Sequence, residues 1–191
     1  VFDLNILDAL KSKTDQRVDF IYESLLQIKN QLNKFGSDLI VEHGDPKIII
    51  PKLVEKYRCD AMYINKDYEA YANKRDAEII RKLKIKGFQY KDQVLYEKDE
   101  ILTQSGTPYT VFTPYKNNYL KRFFFEGITQ FDCEALSKNY AKIDPVAMLS
   151  LNDLGFKVSN LKDLAIPAGE AGGKLLIEDF KKRIHDYGTK R

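Results

Sequence analysis

The chain has 191 residues, 43% of them hydrophobic and 31% charged, with 31 lysines and arginines against 28 acids and a formal net charge of +3. These values exclude a disordered, collagen-like or membrane-embedded chain and leave room for one full domain with an appendage. Cations and acids balance too evenly for a strong phosphate-binding footprint over the whole chain.

No apolar run approaches the roughly 18 to 20 residues of a bilayer span. The first residues have neither the basic start nor the apolar core of a signal peptide, so a cytoplasmic protein is expected. Along the chain, Val18, Ile21, Leu25, Ile28 and Leu32 recur at three- and four-residue steps and predict a helix over 15–35 that Gly36 can end. Residues 39–41 read as a short apolar strand. Its exit through His43-Gly44-Asp45-Pro46 supplies an N-cap and a proline for the first helical position of an element running to about Tyr57. Residues 61–64 predict a second strand, after which Asp67 can cap a helix carrying Ala72, Ile79, Ile80 and Leu83 and stopping at Gly87. Residues 88–90 read as a third strand. In the segment 111–115, Thr113 and Pro114 predict the start of another helix, with Tyr115, Tyr119 and Leu120 packing back on the sheet. From about Phe125 to Pro167 regular periodicity is lost. The last helix is expected from Lys174, because Gly172 and Gly173 make a weak start, with Leu175, Leu176, Phe180 and Ile184 on its apolar face.

Short strands separated by helices of ten to twenty residues predict an α/β fold with a doubly wound, mainly parallel, Rossmann-like sheet. Such sheets bind ligands where their strands end, which places residues 43–45, 65–69 and 91–93 on one rim. No GxGxxG or GxxxxGK[ST] pattern follows a strand. Cys59 and Cys133 lack metal-ligand spacing and are expected as small buried hydrophobes. His43 and His185 have no partner spacing for metal or nucleophilic chemistry and are read as surface or capping residues. The clusters Lys116, Lys121, Arg122 and Lys181, Lys182, Arg183 read as solvated helix faces. No catalytic residue and no metal site is expected in this chain.

The segment Asn65-Lys66-Asp67-Tyr68-Glu69-Ala70-Tyr71-Ala72-Asn73-Lys74-Arg75-Asp76, with Gly106-Thr107-Pro108-Tyr109-Thr110-Val111-Phe112-Thr113-Pro114-Tyr115 downstream, resembles the N-terminal half of the DNA photolyase and cryptochrome family. The likeness extends to residues 1–7, Glu23-Ser24-Leu25, Gly44-Asp45-Pro46, the Lys91-Asp92 pair, Thr103 and Gly169-Glu170. It implies a deoxyribodipyrimidine photolyase whose N-terminal α/β domain holds a light-harvesting antenna and whose helical domain holds FAD, repairing cyclobutane pyrimidine dimers in damaged DNA. Residues 1–124 would then be the antenna domain, 125–169 an irregular interdomain linker, and 170–191 the first helix of the FAD-binding domain. The family's first strand and helix have no counterpart at the start. That central strand leaves pairing to be supplied by another chain, a longer chain or a changed topology. Nor does the chain contain the family's Thr-Ser-Arg-Leu-Ser flavin-phosphate segment or any tryptophan, so alone it is expected to be inactive.

By resemblance, Asn65, Asp67, Glu69 and Tyr71 are the candidate antenna-binding residues, Tyr187 a candidate FAD contact and Arg191 a candidate DNA contact. Folate-binding relatives carry an Asn-Glu pair where this chain has Tyr71 and Ala72, which favours a deazaflavin or flavin antenna over methenyltetrahydrofolate. Asp67 serves equally as a helix cap, and Glu69 with Arg75 as an ion pair. Two further readings stand beside repair: a cryptochrome light sensor, and a free-standing nucleotide-binding α/β module.

Overall fold

Asp3 and Asp15 fix where the first two helices begin. Each carboxylate accepts the backbone N–H two residues on, Asn5 at 3.0 Å and Arg17 at 2.9 Å, satisfying a donor that the helix cannot. Helix α1 is Leu4–Asp8 and α2 is Gln16–Lys34. The end of α2 is a full left-handed cap: Gly36, at φ +69°, donates to Asn33 O at 3.1 Å and Ser37 donates to Leu32 O at 3.2 Å. These features lie in a computed structural model describing residues 1–133 and 135–190.

The chain divides into two units, one made of Val1–Asp45 with the residues from Cys133 onward, the other of Pro46–Asp132. In the first, strand β1 (Phe2–Asp3) runs parallel to β2 (His43–Gly44). The strand expected at residues 39–41 has no ladder partner among the described residues; pairing begins only where Phe2 lies opposite His43. His43 is thus a half-buried strand residue rather than a surface or capping one. The core combines Phe2, Leu7, Val18 and Val41 with Leu151, Leu154 and Phe156, so the expected linker supplies almost half of it. Of the helical face predicted for α2, Val18 is buried and Leu25 partly so, whereas Ile21 and Ile28 are exposed on its flank. Tyr22 packs in their place.

Helix α6 (Gly169–Arg183) starts five residues before the expected Lys174 and packs on α2. A Cβ on Gly172 would come within 2.2 Å of Pro167 O, so the glycine that weakens helix propensity is what lets this turn close. Most of the apolar face expected of α6 is open, with Leu175 and Ile184 more than half exposed. Cys133 is exposed and Cys59 half-buried, neither belonging to a core.

The second unit holds α3 (Pro46–Lys56), β3 (Ala61–Asn65), α4 (Ala70–Lys82), β4 (Lys86–Tyr90) and α5 (Phe112–Glu126). Strands β3 and β4 are parallel, with Tyr63 opposite Phe88 and Asn65 opposite Tyr90. Gly87 lies inside β4 instead of ending α4. Its ideal Cβ position is 3.1 Å from two side-chain carbons of Ile80, so the missing side chain allows close strand-to-helix contact. By strand alternation Met62 and Ile64 share the α4 side, and Tyr63, Phe88 and Tyr90 lie on the other. Helix α5 begins two residues before Pro114, which falls in the first turn where no N–H is needed. The expected domain boundary at 124–125 lies inside α5. Leu120 is exposed, while Tyr119 packs edge-on to Tyr96 and Tyr115 on Tyr109. Among the described residues no helix is long and apolar enough to cross a membrane, and no cluster of His, Cys, Asp or Glu could hold a metal ion.

Candidate functional site

The carboxyl ends of β3 and β4 are bound together by an ionic network. The ladder continues one residue past β3, where Lys66 N donates to Tyr90 O at 2.8 Å. Beside it, Asn65 Nδ2 donates to Asp92 Oδ2 at 3.0 Å. Lys66 Nζ then reaches Glu97 Oε1 at 3.1 Å, and the Tyr68 hydroxyl donates to Glu97 Oε2 at 2.9 Å. Three residues on, Glu100 binds Lys91 Nζ at 2.7 and 2.9 Å, while its backbone carbonyl accepts from the Arg122 guanidinium. Arg122 Nε also pairs with Glu126 at 2.7 Å within α5, so the guanidinium whose other arm holds the Glu100 carbonyl is fixed on the helix.

These contacts set the charges. Lys66 and then Tyr68 hold the Glu97 carboxyl below its ordinary value, and Lys91 with the Glu97 N–H does the same for Glu100. Burial and the Glu97 hydrogen bond raise the Tyr68 hydroxyl. Burial and the nearby Glu126 carboxylate raise Tyr96. Glu97 and Glu100 therefore stay ionised at neutral pH, and each is matched by a lysine.

Behind the network a cavity of about 670 Å³ opens between the end of β4 and the end of α5, within the size range of small-molecule sites. Tyr90, Tyr96, Phe123 and Phe131 supply flat aromatic wall, and Lys91 and Glu126 supply charge. The Arg122 guanidinium stands 4.8 Å from the Tyr96 ring centre and Lys91 Nζ 5.5 Å, so two cations lie against that ring.

The residues expected to bind an antenna are distributed differently. Asn65 is on this rim, held by Asp92. Asp67 accepts the Glu69 N–H at 3.0 Å, and α4 starts after Glu69, so Asp67 shapes the turn before the helix and Glu69 holds the cap position without a side-chain bond. Tyr71 lies 5.7 Å from the Arg75 guanidinium, and Arg75 pairs with Asp76 at 2.8 Å. None of Asn65, Asp67, Glu69 or Tyr71 lines the cavity. Tyr187 meets Phe180 edge-on and is more than half exposed; Arg191 lies outside the described residues. His185 Nε2 is 3.2 Å from Asp186 Oδ1 on an exposed surface, as its spacing predicts. Sequence reasoning passed over Glu97, Glu100 and Glu126, and read Arg122 only as part of a solvated face. Glu97 and Glu100 meet lysines 31 and 9 residues away, which no local pattern signals, whereas Arg122 and Glu126 stand at the (i, i+4) spacing that could have been read.

The deoxyribodipyrimidine photo-lyase of Synechococcus sp. is 35% identical over 106 residues, covering 54% of this chain and 22% of that protein. The deoxyribodipyrimidine photo-lyase of Halobacterium salinarum is 28% identical over 190 residues, covering 96% of this chain and 39% of its own length. The chain therefore spans well under half the length of either relative. The crystal structure of a bacterial class III photolyase from Agrobacterium tumefaciens aligns with a TM-score of 0.48 at 22% identity, over 67% of this chain and 25% of that one. A family model described as DNA photolyase matches residues 2–135. That match takes in well over half of the 191 residues, and the chain belongs to the DNA photolyase family.

Proposed function

We propose that this chain is the antenna-holding part of a deoxyribodipyrimidine photolyase, the whole protein using FAD and light to split cyclobutane pyrimidine dimers in DNA. Family membership supports the activity. The observation that carries the antenna role is the cavity at the end of β4, which offers aromatic walls, one lysine and one carboxylate to a flat polar chromophore. A chromophore bound there would absorb light and pass the excitation to the flavin. The protein's own part is to exclude water with Tyr90, Tyr96 and Phe123 and to orient polar ring edges with Lys91 and Glu126. Asn65, on the adjoining rim, is assigned to the antenna site, with Asp67, Glu69 and Tyr71 as supports of the turn beside it. Tyr187 and Arg191 are assigned to the flavin and to DNA by resemblance.

A deazaflavin or flavin is favoured over methenyltetrahydrofolate. Ala72 is only 4% exposed and has no acceptor, and Tyr71 is engaged with Arg75. Pterin donors left unpaired cost about 1 to 3 kcal/mol each, or roughly ten- to hundredfold in affinity per group. The test is to purify the full-length protein from its native source, release its cofactors and record their spectra, then assay dimer repair under blue light. Stoichiometric methenyltetrahydrofolate would refute the antenna assignment. A flavin-bearing protein without repair activity would favour the light-sensing reading. The 191-residue chain alone should leave dimers intact.

A further inference from the structure

We propose that Tyr96, Tyr119, Tyr115 and Tyr109 form an electron relay into the cavity at the end of β4, with Tyr96 giving an electron and a proton when an oxidising ring is held there. The relay would offer an excited chromophore a second fate beside passing its energy on, and it rests on reading that cavity as the chromophore site.

The rings stand in one continuous file. Tyr96 belongs to the cavity wall, and its ring centre is 5.0 Å from that of Tyr119. Tyr119 is 6.0 Å from Tyr115, and Tyr115 is 6.2 Å from Tyr109. Rings this close exchange electrons readily, since each step crosses little more than van der Waals contact. The sequence of α5 builds half of the file: Tyr115, Tyr119, Arg122 and Glu126 recur at steps of four, three and four, which sets them on one face of the helix. The loop before α5 supplies Tyr109, whose hydroxyl accepts from Asn118 Nδ2 at 3.2 Å.

A tyrosine yields an electron easily only when its phenolic proton can leave with it, which needs a base within hydrogen-bond reach. Tyr96 has one, because its hydroxyl donates to the Glu126 carboxylate. Arg122 and Lys91 lie against the same ring and oppose a positively charged radical, so the open route is loss of both particles together. The electron passes to the oxidant in the cavity and the proton passes from Tyr96 Oη to Glu126, leaving a neutral tyrosyl radical. Glu126 returns that proton as an electron arrives from Tyr119, which gives its own proton to water. The same exchange moves the vacancy through Tyr115 to Tyr109. A thiol in solution closes the sequence by supplying one electron and one proton and becoming a thiyl radical. In sum the oxidant gains one electron, the thiol loses one, and one proton enters the water.

The test places an oxidant in the cavity without any chromophore. Thr129, which lines the cavity, is replaced in the whole chain by Thr129→Cys, with Cys59→Ser and Cys133→Ser, and the new thiol carries a ruthenium polypyridyl label. A laser flash with a soluble electron acceptor oxidises the label, and transient absorption and electron paramagnetic resonance follow the tyrosyl radical. The radical should form, more slowly in heavy water, and dithiothreitol should remove it. Exchanging tyrosine for phenylalanine keeps each ring and its packing, so a merely structural file would not respond to it. Tyr96→Phe should abolish the radical, and Tyr119→Phe should confine it to Tyr96 and shorten its life. Glu126→Gln should slow its formation by about a hundredfold, as loss of a general base does. The proposal is overturned if no tyrosyl radical forms, if Tyr96→Phe or Glu126→Gln behaves like the parent, or if Tyr119→Phe leaves the lifetime unchanged. A full-length protein whose released cofactors include no second chromophore would remove the antenna reading instead, and leave the result on the labelled chain standing.

Discussion

Replacing Asp38 by alanine should be among the most damaging changes in the first unit. Its side chain is fully buried, and its carboxylate holds three things at once. Both oxygens bind the Lys29 ammonium, whose side chain is only 12% exposed, and they accept the backbone N–H groups of Leu39 and Val146 at 2.7 Å each. Burial works against this carboxylate, yet Lys29 and the two N–H groups outweigh it and hold its pKa below the ordinary value. Removing it strands a nearly buried cation, a loss of about 3 to 5 kcal/mol, and leaves two amides without their acceptor. Some of the amide loss is recovered by water, so about 4 kcal/mol is expected against a total of about 5 to 15 kcal/mol. With a urea dependence of about 2 kcal/mol per molar, the unfolding midpoint should fall by about 2 M. Hydrogen exchange at Val146 should accelerate in step. The sign with pH follows from the lowered value: the contribution is complete above the ordinary aspartate pKa of about 3.9 and is lost as pH falls through the folded-state value. In Asp38→Ala that part of the acid sensitivity should vanish. A midpoint within about 0.5 M of the parent would refute the claim that this pair organises the unit.

Phe156 is 1% exposed and central to the same core, so Phe156→Ala should cost about 3 to 5 kcal/mol by chemical denaturation; a loss below about 1 kcal/mol would show that residues 151–156 are peripheral. Glu97 and Glu100 have lowered pKa values, so the network at the strand ends should be intact above the ordinary glutamate value and should loosen as pH falls through the folded ones. Proteolysis within residues 91–101 should therefore quicken in acid, and Glu100→Gln should show part of that sensitivity at neutral pH. Asp67→Ala should cost about 0.5 to 2 kcal/mol of thermal stability, since its carboxylate takes a single exposed N–H.

Where chemistry is local, the sequence predicted structure well. Asp15 and Gly36 bracket α2 because a short carboxylate and a side-chain-free residue satisfy the helix ends within two or three positions. The strand at 61–64 appears in the fold, one residue longer, because its apolar run pairs with β4. Residues 39–41 look equally strand-like, but a ladder needs a neighbour, and Phe2–Asp3 reaches only His43–Gly44. Leu151, Leu154 and Phe156 mix one three-residue step with one two-residue step and sustain neither period, so nothing in 125–167 announced a core. The rim was legible as the ends of β3 and β4, while the lysine and glutamate partners across it depend on tertiary structure. Asp67 was read as a cap and shapes the preceding turn, a shift of the kind that moves helix boundaries by a residue or two.

The bond from Ser159 to Asp19 spans 140 positions and that from Val146 to Asp38 spans 108, so the first unit is sewn from two stretches that residues 46–132 separate in sequence. During synthesis its opening residues must wait, with Phe2, Leu7, Val18 and Val41 uncovered, until everything through Phe156 has emerged. Residues 46–132 have their own contacts at hand and can fold while that wait lasts. Bringing such distant segments together is slow, because chain entropy is lost before the contacts that reward it form. The interval is when this protein is most open to aggregation, and it ends when Phe156 seats.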